Sequence, residues 1–232
     1  MNIAFIPVRG GSKSIPLKNI KELNGKPLVY WTSKAANDAK CINQVIIATD
    51  SEEIKAVVKS FGLDKVQIYD RDKKNAEDTS STESVMLEYI QQSDLKTKDL
   101  FFLIQATSPM LKSEHIDEMY QAFMTGNADS MFSGVVEKQF HWKFLPHQVS
   151  HNQDNFVVPV NYDYCNRPRR QEFEGLVAEN GACYINSVGN ILRDKCRLSG
   201  NIVAYELPAY TAYEIDEPED WFLVEELMKR YQ

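Results

Sequence analysis

The sequence predicts an α/β protein built on a mostly parallel central sheet. Short apolar segments alternate with amphipathic segments through residues 1–136, and this alternation is typical of parallel strands joined by crossover helices. Glycine or small polar residues follow the apolar segments, where a strand must turn before the next helix begins. With 232 residues, of which 43% are hydrophobic, the chain is expected to form a single domain, 1–232.

The elements follow one another in a regular order. The first predicted strand covers residues 3–8, and Arg9-Gly10-Gly11 ends it. Further strands are predicted from short apolar runs, at 44–49, 65–69, 100–105 and 128–136. Helical spacing of apolar residues predicts helices between them, at 26–39, 52–61, 82–91 and 113–125. Gly62 is expected to end the second helix, and Thr82 and Ser113 are expected to cap the next two.

The alternation breaks between residues 137 and 179. Aromatic residues, Pro and Asn gather there with the basic cluster Arg167-Pro168-Arg169-Arg170. We interpret this segment as an insertion from the main sheet, because linkers seldom carry so many large aromatic side chains. Strand-like runs return at 181–187 and 202–207, and an amphipathic helix is predicted at 218–231.

Charge and composition narrow the function classes. The formal net charge of −7 argues against a general nucleic-acid-binding surface. The four cysteines show no C-x-x-C spacing, so reduced thiols in a cytosolic protein are expected. The N-terminus lacks a basic region followed by a long apolar run, and no segment approaches the length of a membrane span. We therefore expect a cytoplasmic protein without a membrane partner.

The loop from Arg9 to Asn19 is the first candidate for chemistry. It carries Arg9, Lys13 and Lys18 directly after a predicted strand, and ligands of open α/β sheets bind beyond the carboxyl ends of strands. Two adjacent glycines allow backbone amides to approach an anion closely. The loop matches neither G-x-x-x-x-G-K-[ST] nor G-x-G-x-x-G. Its spacing leaves two interpretations open, a phosphate site and a solvated basic turn.

Two carboxylates near the C-terminus are the second candidate. Glu214 and Asp216 flank Ile215, and alternation in an extended segment places both on one face. Such a pair beside phosphates suits Mg²⁺, a hard cation that prefers oxygen ligands. The alternative is an acidic turn facing solvent, since further acidic residues follow at 217, 219 and 220.

The segment R-G-G-S-K-S-I-P-L-K-N after an apolar strand resembles the signature R-G-G-S-K-x-x-x-x-K-N of the acylneuraminate cytidylyltransferases, which make CMP-activated sialic acids and their relatives. Matches continue in order to Asp216. The resemblance implies a Rossmann-like three-layer fold of the nucleotide-diphospho-sugar transferase type. It also implies Mg²⁺-dependent transfer of CMP from CTP to the anomeric hydroxyl of a nine-carbon 2-keto-3-deoxy sugar acid. A family acting on an eight-carbon sugar acid usually shows R-x-x-S-x-R-L-P-G-K-P, from which Lys13 and Lys18-Asn19 depart.

The resemblance also implies roles for individual residues. Gln105, in Q-A-T-S-P, would lie between nucleotide and sugar, where an amide can donate and accept hydrogen bonds at once. The implied catalytic set is Arg9, Lys18, Gln105 and Asp216. The implied nucleotide-binding set is Arg9, Gly10, Ser12, Lys13, Lys18, Asn19, Arg71, Thr82 and Gln105. Asp216 and Glu214 would hold the metal, although similar enzymes often carry Asp at the position of Glu214.

In the acylneuraminate cytidylyltransferases, the segment that corresponds to residues 137–179 is a dimerisation arm, which supplies basic residues to the partner's site. The resemblance therefore implies a homodimer. Lys143 and the arginines of Pro168-Arg169-Arg170-Gln171, similar to P-R-x-Q, would be these basic residues. Arg pairs with carboxylates in a bidentate manner. The implied sugar-binding set is Gln105, Lys143, Arg169, Arg170, Asn180, Tyr184 and Arg197, with Asn180 and Tyr184 taken from N-G-A-C-Y.

The sugar side contains two departures from the resembling family. Ala178 stands where sialate-specific members often have Arg, and Arg197-Leu198 stands where they can carry an aromatic pair. We interpret a cation in place of an aromatic wall as favouring a hydroxyl over an acetamido group, and so the deaminated sialic acid. Two alternatives remain open: the same reaction on pseudaminic or legionaminic acid, and a non-catalytic nucleotide-binding module.

Overall fold

We describe the fold from a computed structural model, which describes residues 1–11, 14–75, 80–145 and 156–231. Its strands are β1 (Asn2–Pro7), β2 (Glu22–Leu23), β3 (Lys26–Pro27), β4 (Gln44–Thr49), β5 (Val66–Asp70), β6 (Leu100–Ile104), β7 (Ser130–Glu137), β8 (Trp142–Phe144), β9 (Val157–Pro159), β10 (Leu176–Ser187) and β11 (Ile202–Glu206). Its α-helices are α1 (Leu28–Asp38), α2 (Glu52–Lys59), α3 (Thr82–Gln92), α4 (Ser113–Thr125), α5 (Val188–Asp194) and α6 (Pro218–Tyr231).

Seven strands form the central sheet, in the order β11-β7-β10-β6-β1-β4-β5. The pairs β1–β4, β1–β6, β4–β5 and β7–β11 are parallel. Only β10 runs antiparallel to its two neighbours in this sheet, β6 and β7. The prediction of a mostly parallel sheet is therefore confirmed.

The sheet is the middle of three layers. Alternate residues of β1 enter opposite cores, with Ala4 and Ile6 on one face and Ile3 and Phe5 on the other, as the period of a strand requires. Helices α1, α2 and α4 cover the first face, and α3 and α5 cover the second. None of the described helices combines the length and apolar character needed to cross a membrane.

A third apolar cluster joins the two chemically distinctive segments of the chain. Ile15 of the basic loop and Ile215 of the acidic segment pack together with Trp221 and Val224 of α6. Both isoleucines are almost completely buried. The C-terminal helix therefore fixes the basic loop and the acidic segment against each other.

Several predicted details differ from the structure at element ends. Ser81, rather than Thr82, caps α3, because the Ser81 hydroxyl accepts from the amide of Ser84 at 3.1 Å. Ser113 is the first residue of α4 rather than its cap, and the Lys112 amide donates to Nδ1 of His115 at 3.2 Å. Helix α5 was not predicted; it begins directly after β10, and Ser187 caps it.

The segment 137–179, called the arm below, begins and ends as a continuation of the sheet. Strand β10 starts at Leu176, earlier than predicted, and Leu176 pairs with Glu137 at the end of β7. Farther along the arm, β8 and β9 form a separate antiparallel pair. Residues 146–155 of the arm lie outside the described part of the chain.

Candidate active site

A cavity of about 340 Å³ lies beyond the carboxyl ends of β1 and β6. It is where ligands bind in open α/β sheets. The structure brings eight of the predicted site residues together in its wall: Arg9, Lys18, Asn19, Arg71, Thr82, Gln105, Glu214 and Asp216. They come from segments far apart in the chain. Arg9, Arg71 and Gln105 meet there because the parallel strands β1, β5 and β6 that precede them end at one edge of the sheet.

The basic loop is held in place at both of its ends. The Gly10 amide donates to Asp50, which follows β4, at 3.2 Å. Near the other end, the buried Asn19 side chain donates to the carbonyl of Arg9 at 3.1 Å, closing the loop on itself. The predicted nucleotide-binding residues Ser12 and Lys13 lie outside the described residues.

Lys18 connects the basic loop to the acidic segment. Its Nζ donates to the carbonyl of Ile215 at 2.9 Å and to Oδ1 of Asp216 at 3.0 Å. The Lys18 side chain is only 13% exposed, so its charge is directed into the cavity rather than into bulk solvent.

The acidic segment is anchored to the turn after β6. The Ile215 amide donates to the carbonyl of Thr107 at 2.8 Å, and the Thr107 hydroxyl donates to Oε2 of Glu214 at 3.2 Å. Ile215 is fully buried, and Glu214 and Asp216 on either side of it both line the cavity. The predicted alternation therefore places the two carboxylates on one face.

Glu214 has a pKa that is shifted from its ordinary value. Burial, followed by the charge of Asp216, raises its pKa from 4.5 to about 7, and the Thr107 hydroxyl and Lys18 only partly oppose this shift. A buried carboxylate beside a second carboxylate is stabilised in its ionised form by a nearby cation. Among the described residues no group of three or more His, Cys, Asp and Glu side chains gathers as a metal site. A metal here would therefore take part of its coordination from a bound phosphate and water, which is usual for Mg²⁺.

Gly181 allows Glu214 and Gln105 to approach the sheet closely. It sits at φ 64° in the irregularity of β10 between Glu179 and Tyr184. A Cβ at this position would meet Oε1 of Glu214 at 2.6 Å and Oε1 of Gln105 at 2.7 Å. Both the left-handed backbone and the contact distances therefore require glycine.

Arg71 and the start of α3 form the opposite wall. Arg71 is 6% exposed, and its Nη2 donates to the carbonyl of Asn75. Its buried Nε has no hydrogen-bond partner among the described residues, and a buried donor is costly unless something accepts from it. Burial lowers the pKa of Arg71, and the charges of Asp50 and Glu88 oppose that shift. This wall thus offers a charged donor to a ligand.

A network of four side chains lies beyond Thr82 and Gly181. Arg197 pairs with Glu83 at 2.6 Å and lies over the ring of Tyr184 at 5.1 Å. The Tyr184 hydroxyl donates to Glu179. Tyr184 is 3% exposed. Arg197 and Tyr184, both predicted to contact the sugar, are therefore partnered with carboxylates that the sequence did not single out.

Of the predicted sugar-binding set, only Gln105 is among the described residues that line the cavity; Lys143, Arg169, Arg170, Asn180, Tyr184 and Arg197 are not. Asn180 is 2% exposed; it accepts from Ser133 at 2.6 Å and donates to Thr211 at 3.0 Å. It is an interior residue that holds the bend at Gly181. Lys143, Arg169 and Arg170 lie on the arm with exposed side chains.

The remaining described residues of the cavity wall lie outside the predicted site sets, namely Pro7, Ser80, Ser81, Val85, Ala106 and Thr107. Ser80 and Ser81 precede the predicted helix that became α3, so a polar stretch before a cap was a usable signal. Asp50 follows a predicted strand directly and could have been found by the same rule that identified the basic loop. Glu83 carried no comparable signal, because its partner Arg197 is 114 positions away in the sequence. Glu179 is only five positions from Tyr184, but no local motif marks the two as a pair.

Comparison with known proteins adds independent information. The family model described as "Cytidylyltransferase" matches residues 3–158. An N-acylneuraminate cytidylyltransferase of Oncorhynchus mykiss is 36% identical over 230 residues, which is 98% of this chain and 50% of that protein. The chain therefore spans about half the length of that relative. A CMP-N,N'-diacetyllegionaminic acid synthase of Legionella pneumophila is 29% identical, over 99% of this chain and 97% of that protein.

Among solved structures, a CMP:2-keto-3-deoxy-manno-octonic acid synthetase complexed with CTP superposes with a TM-score of 0.69. The match covers 100% of this chain and 99% of that one, at 18% identity. It supports the three-layer fold described above.

Proposed function

The chain belongs to the cytidylyltransferase family, and from that premise we propose that it transfers CMP from CTP to a nine-carbon 2-keto-3-deoxy sugar acid of the sialic acid type, releasing pyrophosphate. The observation that carries the proposal is the single cavity in which Arg9, Lys18, Arg71, Gln105 and the Glu214–Asp216 pair converge. The names of the relatives from Oncorhynchus mykiss and Legionella pneumophila support the substrate class.

In the proposed reaction the anomeric oxygen of the sugar attacks the α-phosphorus of CTP. A new P–O bond forms, the bond between the α-phosphorus and its bridging oxygen breaks, and pyrophosphate leaves with the electron pair; the hydroxyl proton passes to water. Such transfers depend mainly on positioning and on stabilising negative charge. Arg9 and Lys18 supply positive charge for the phosphates. Gln105 lies close to Glu214, since side-chain oxygens of both would fall within 2.7 Å of a Cβ added at Gly181, and it would bridge nucleotide and sugar.

We propose Mg²⁺ as the cofactor, held by Asp216 and Glu214. The raised pKa of Glu214, caused by burial and by Asp216, supports a cation at this position. When bound, Mg²⁺ would neutralise phosphate charge. Lys18 contributes a fixed cation to the same carboxylate, since it already pairs with Asp216 at 3.0 Å.

We further propose a homodimer in which each arm completes the partner's site. Strands β8 and β9 expose Trp142, Phe144 and Val157, between 42% and 69% of each residue. Exposed apolar clusters of this kind mark protein interfaces. Arg169 and Arg170 are exposed on the same arm, and a carboxylate-bearing sugar would suit them as a bidentate partner.

A pyrophosphate-release assay tests the proposal. Purified protein is given CTP and Mg²⁺ with N-acetylneuraminic, deaminated neuraminic, legionaminic and pseudaminic acids, and with the eight-carbon keto-sugar acid as control. We expect release with one or more nine-carbon acids and little with the control. The higher of the two kcat/KM values for N-acetylneuraminic acid and deaminated neuraminic acid identifies which of these two is the preferred substrate. Binding of CTP with no release from any acid would instead identify a nucleotide-binding module and refute the proposed reaction.

Legionaminic acid is the second candidate substrate. One specific observation favours it: the relative named for this sugar matches over 97% of its own length. A kcat/KM highest for legionaminic acid within the same panel would select it.

A further inference from the structure

Glu88, on the second turn of α3, holds the segment that follows β5. Its Oε1 accepts from the Tyr69 hydroxyl at 2.7 Å and from the Asp72 amide at 2.8 Å. Its Oε2 accepts from the side-chain amide of Asn75. One carboxylate thus receives three hydrogen bonds from three residues within a seven-residue stretch. Hydrogen bonds to an ionised carboxylate are about twice as strong as those between neutral groups.

The segment that Glu88 holds is in turn bonded to the cavity wall at two points. The Asn75 carbonyl accepts from Nη2 of Arg71, and the Lys74 carbonyl accepts from the Ser80 hydroxyl at 2.9 Å. Arg71 and Ser80 both line the cavity. Glu88 does not line it, so it can act on a ligand there only through these residues.

The local packing makes Glu88 a fixed point. The ring of Tyr69 meets that of Tyr89 edge-on at 5.1 Å, and Tyr89 contacts Phe5 of β1 at 5.3 Å. Val85, one turn before Glu88 on the same face of α3, lines the cavity and is 2% exposed. The carboxylate therefore stands on a rigid helix, whereas the 3₁₀ turn Lys73–Asn75 that it holds is short.

We propose that Glu88 is a positioning residue for the nucleotide, setting the orientation of Arg71 and Ser80 through the turn at 72–75. The inference rests on the proposed function in taking CTP as the ligand. Its charge also supports the buried guanidinium: burial lowers the pKa of Arg71, and Asp50 and Glu88 oppose that shift. Because Glu88 acts on the wall that contains Arg71, its loss should weaken the binding of the nucleotide and leave the binding of the sugar largely unaffected.

The test uses direct calorimetric binding of CTP, which needs no sugar. In Glu88→Gln, one side-chain oxygen remains to accept from Tyr69 and Asp72, but the new amide donor faces the Asn75 donor. We expect CTP affinity to fall about tenfold or more in this variant, the scale of a positioning loss outside direct contact. The sugar KM should stay within about twofold, because uniform loss of both would indicate damage to the whole site.

A compensating change separates positioning from general destabilisation. Glu88→Gln combined with Asn75→Asp reverses donor and acceptor and restores the hydrogen bond. We expect the double variant to recover CTP affinity to within about threefold of wild type, since non-additivity is the signature of a direct pair. Asn75→Asp alone should weaken CTP binding, because the new carboxylate at position 75 and the carboxylate of Glu88 then face each other. Gln91→Ala, an exposed change on the same helix, is the control and should bind CTP normally.

The outcomes are distinct. Wild-type CTP affinity in Glu88→Gln, or a loss that the double variant does not rescue, overturns the role of Glu88. Wild-type protein that binds CTP but transfers CMP to no sugar acid refutes the proposed function, while the Glu88 assignment is still decided by the binding data. Failure of wild-type protein to bind CTP refutes both.

Discussion

The ammonium group of Lys18 lies 3.0 Å from Oδ1 of Asp216, joining two residues that are 198 positions apart in the chain. This ion pair places the basic loop after β1 against the acidic segment before α6. The cation for phosphate and the carboxylate for metal are thus neighbours before any ligand is bound. Lys18 consequently connects both halves of the proposed chemistry.

Removing the Lys18 charge should abolish most turnover without unfolding the protein. We expect Lys18→Ala to lower kcat by about 100-fold or more, the scale of losing one preorganised charge in a reaction that develops negative charge. Arg9→Ala should behave similarly. Lys59→Ala, at the exposed end of α2, is the matched control. Steady-state pyrophosphate release is the measurement, and near-normal turnover in both site variants would contradict the loop assignment.

Glu214 should make stability depend on pH. Because its pKa is raised from 4.5 to about 7, the folded protein retains a proton in this range that the unfolded chain releases. The free energy of unfolding should therefore fall as pH rises from 4.5 to about 7. Thermal melts across this range should show a smaller fall in Glu214→Gln, and Mg²⁺ should counter the fall only in wild type. Glu219→Gln, an exposed change nearby, should melt like wild type; an unchanged slope in Glu214→Gln would count against the site.

Gly181→Ala should impair catalysis beyond its effect on stability. The left-handed backbone at φ 64° costs a side chain about 1–2 kcal/mol. The new Cβ would also lie only 2.6 and 2.7 Å from side-chain oxygens of Glu214 and Gln105, so both side chains would have to move. Gly62 provides a matched control, because it has the same φ and no atom within 4 Å of an added Cβ. We expect both variants to lose similar stability in chemical denaturation, but only Gly181→Ala to lose activity. Equal activities would show that the close approach at Gly181 is not needed.

Breaking the Glu83–Arg197 ion pair should change the KM for the sugar rather than the KM for the nucleotide. Both side chains are about one-quarter exposed or less, and Arg197 also covers Tyr184. We expect Arg197→Gln to raise the sugar KM about tenfold while the CTP KM stays constant, the pattern of a lost binding contact. Arg193→Gln breaks an exposed ion pair with Asp194 and should leave both values unchanged. A rise in the CTP KM alone would assign Arg197 to nucleotide binding and contradict its assignment to the sugar.

Mixing two inactive variants should restore activity if the arm completes the partner's site. Lys18→Ala removes a cation that the nucleotide phosphates need. The double change Arg169→Ala and Arg170→Ala removes the basic side chains that the arm would supply to the partner's site. After subunit exchange, mixed dimers contain one site with an intact Lys18 and an intact arm. Random exchange would then recover up to about one-quarter of wild-type activity. No recovery, with dimers confirmed by sedimentation, would assign the arginines to their own subunit's site or to no site.

Local sequence patterns predicted most elements well. The strand Gln44–Thr49 and the helices Ser113–Thr125 and Pro218–Tyr231 have the predicted bounds, because each is a continuous periodic segment ended by polar or turn-forming residues. The early start of β10 was missed because Leu176 and Val177 are exposed and are held by pairing with β7. Helix α5 was missed because its seven residues are too few to show a clear period.

The amino-acid sequence alone was enough to predict most of the strands and helices in their order, the basic loop after the first strand and the neighbouring carboxylates Glu214 and Asp216. These features are local, so periodicity and spacing contain them. Three features became visible only in the folded chain: the antiparallel direction of β10, the contact between Lys18 and Asp216, and the hydrogen bonds by which Glu88 holds the wall containing Arg71. Each of these depends on contacts between distant segments, whose geometry is set by packing across the whole sheet. Burial, which raises the pKa of Glu214, is likewise a property of the folded chain.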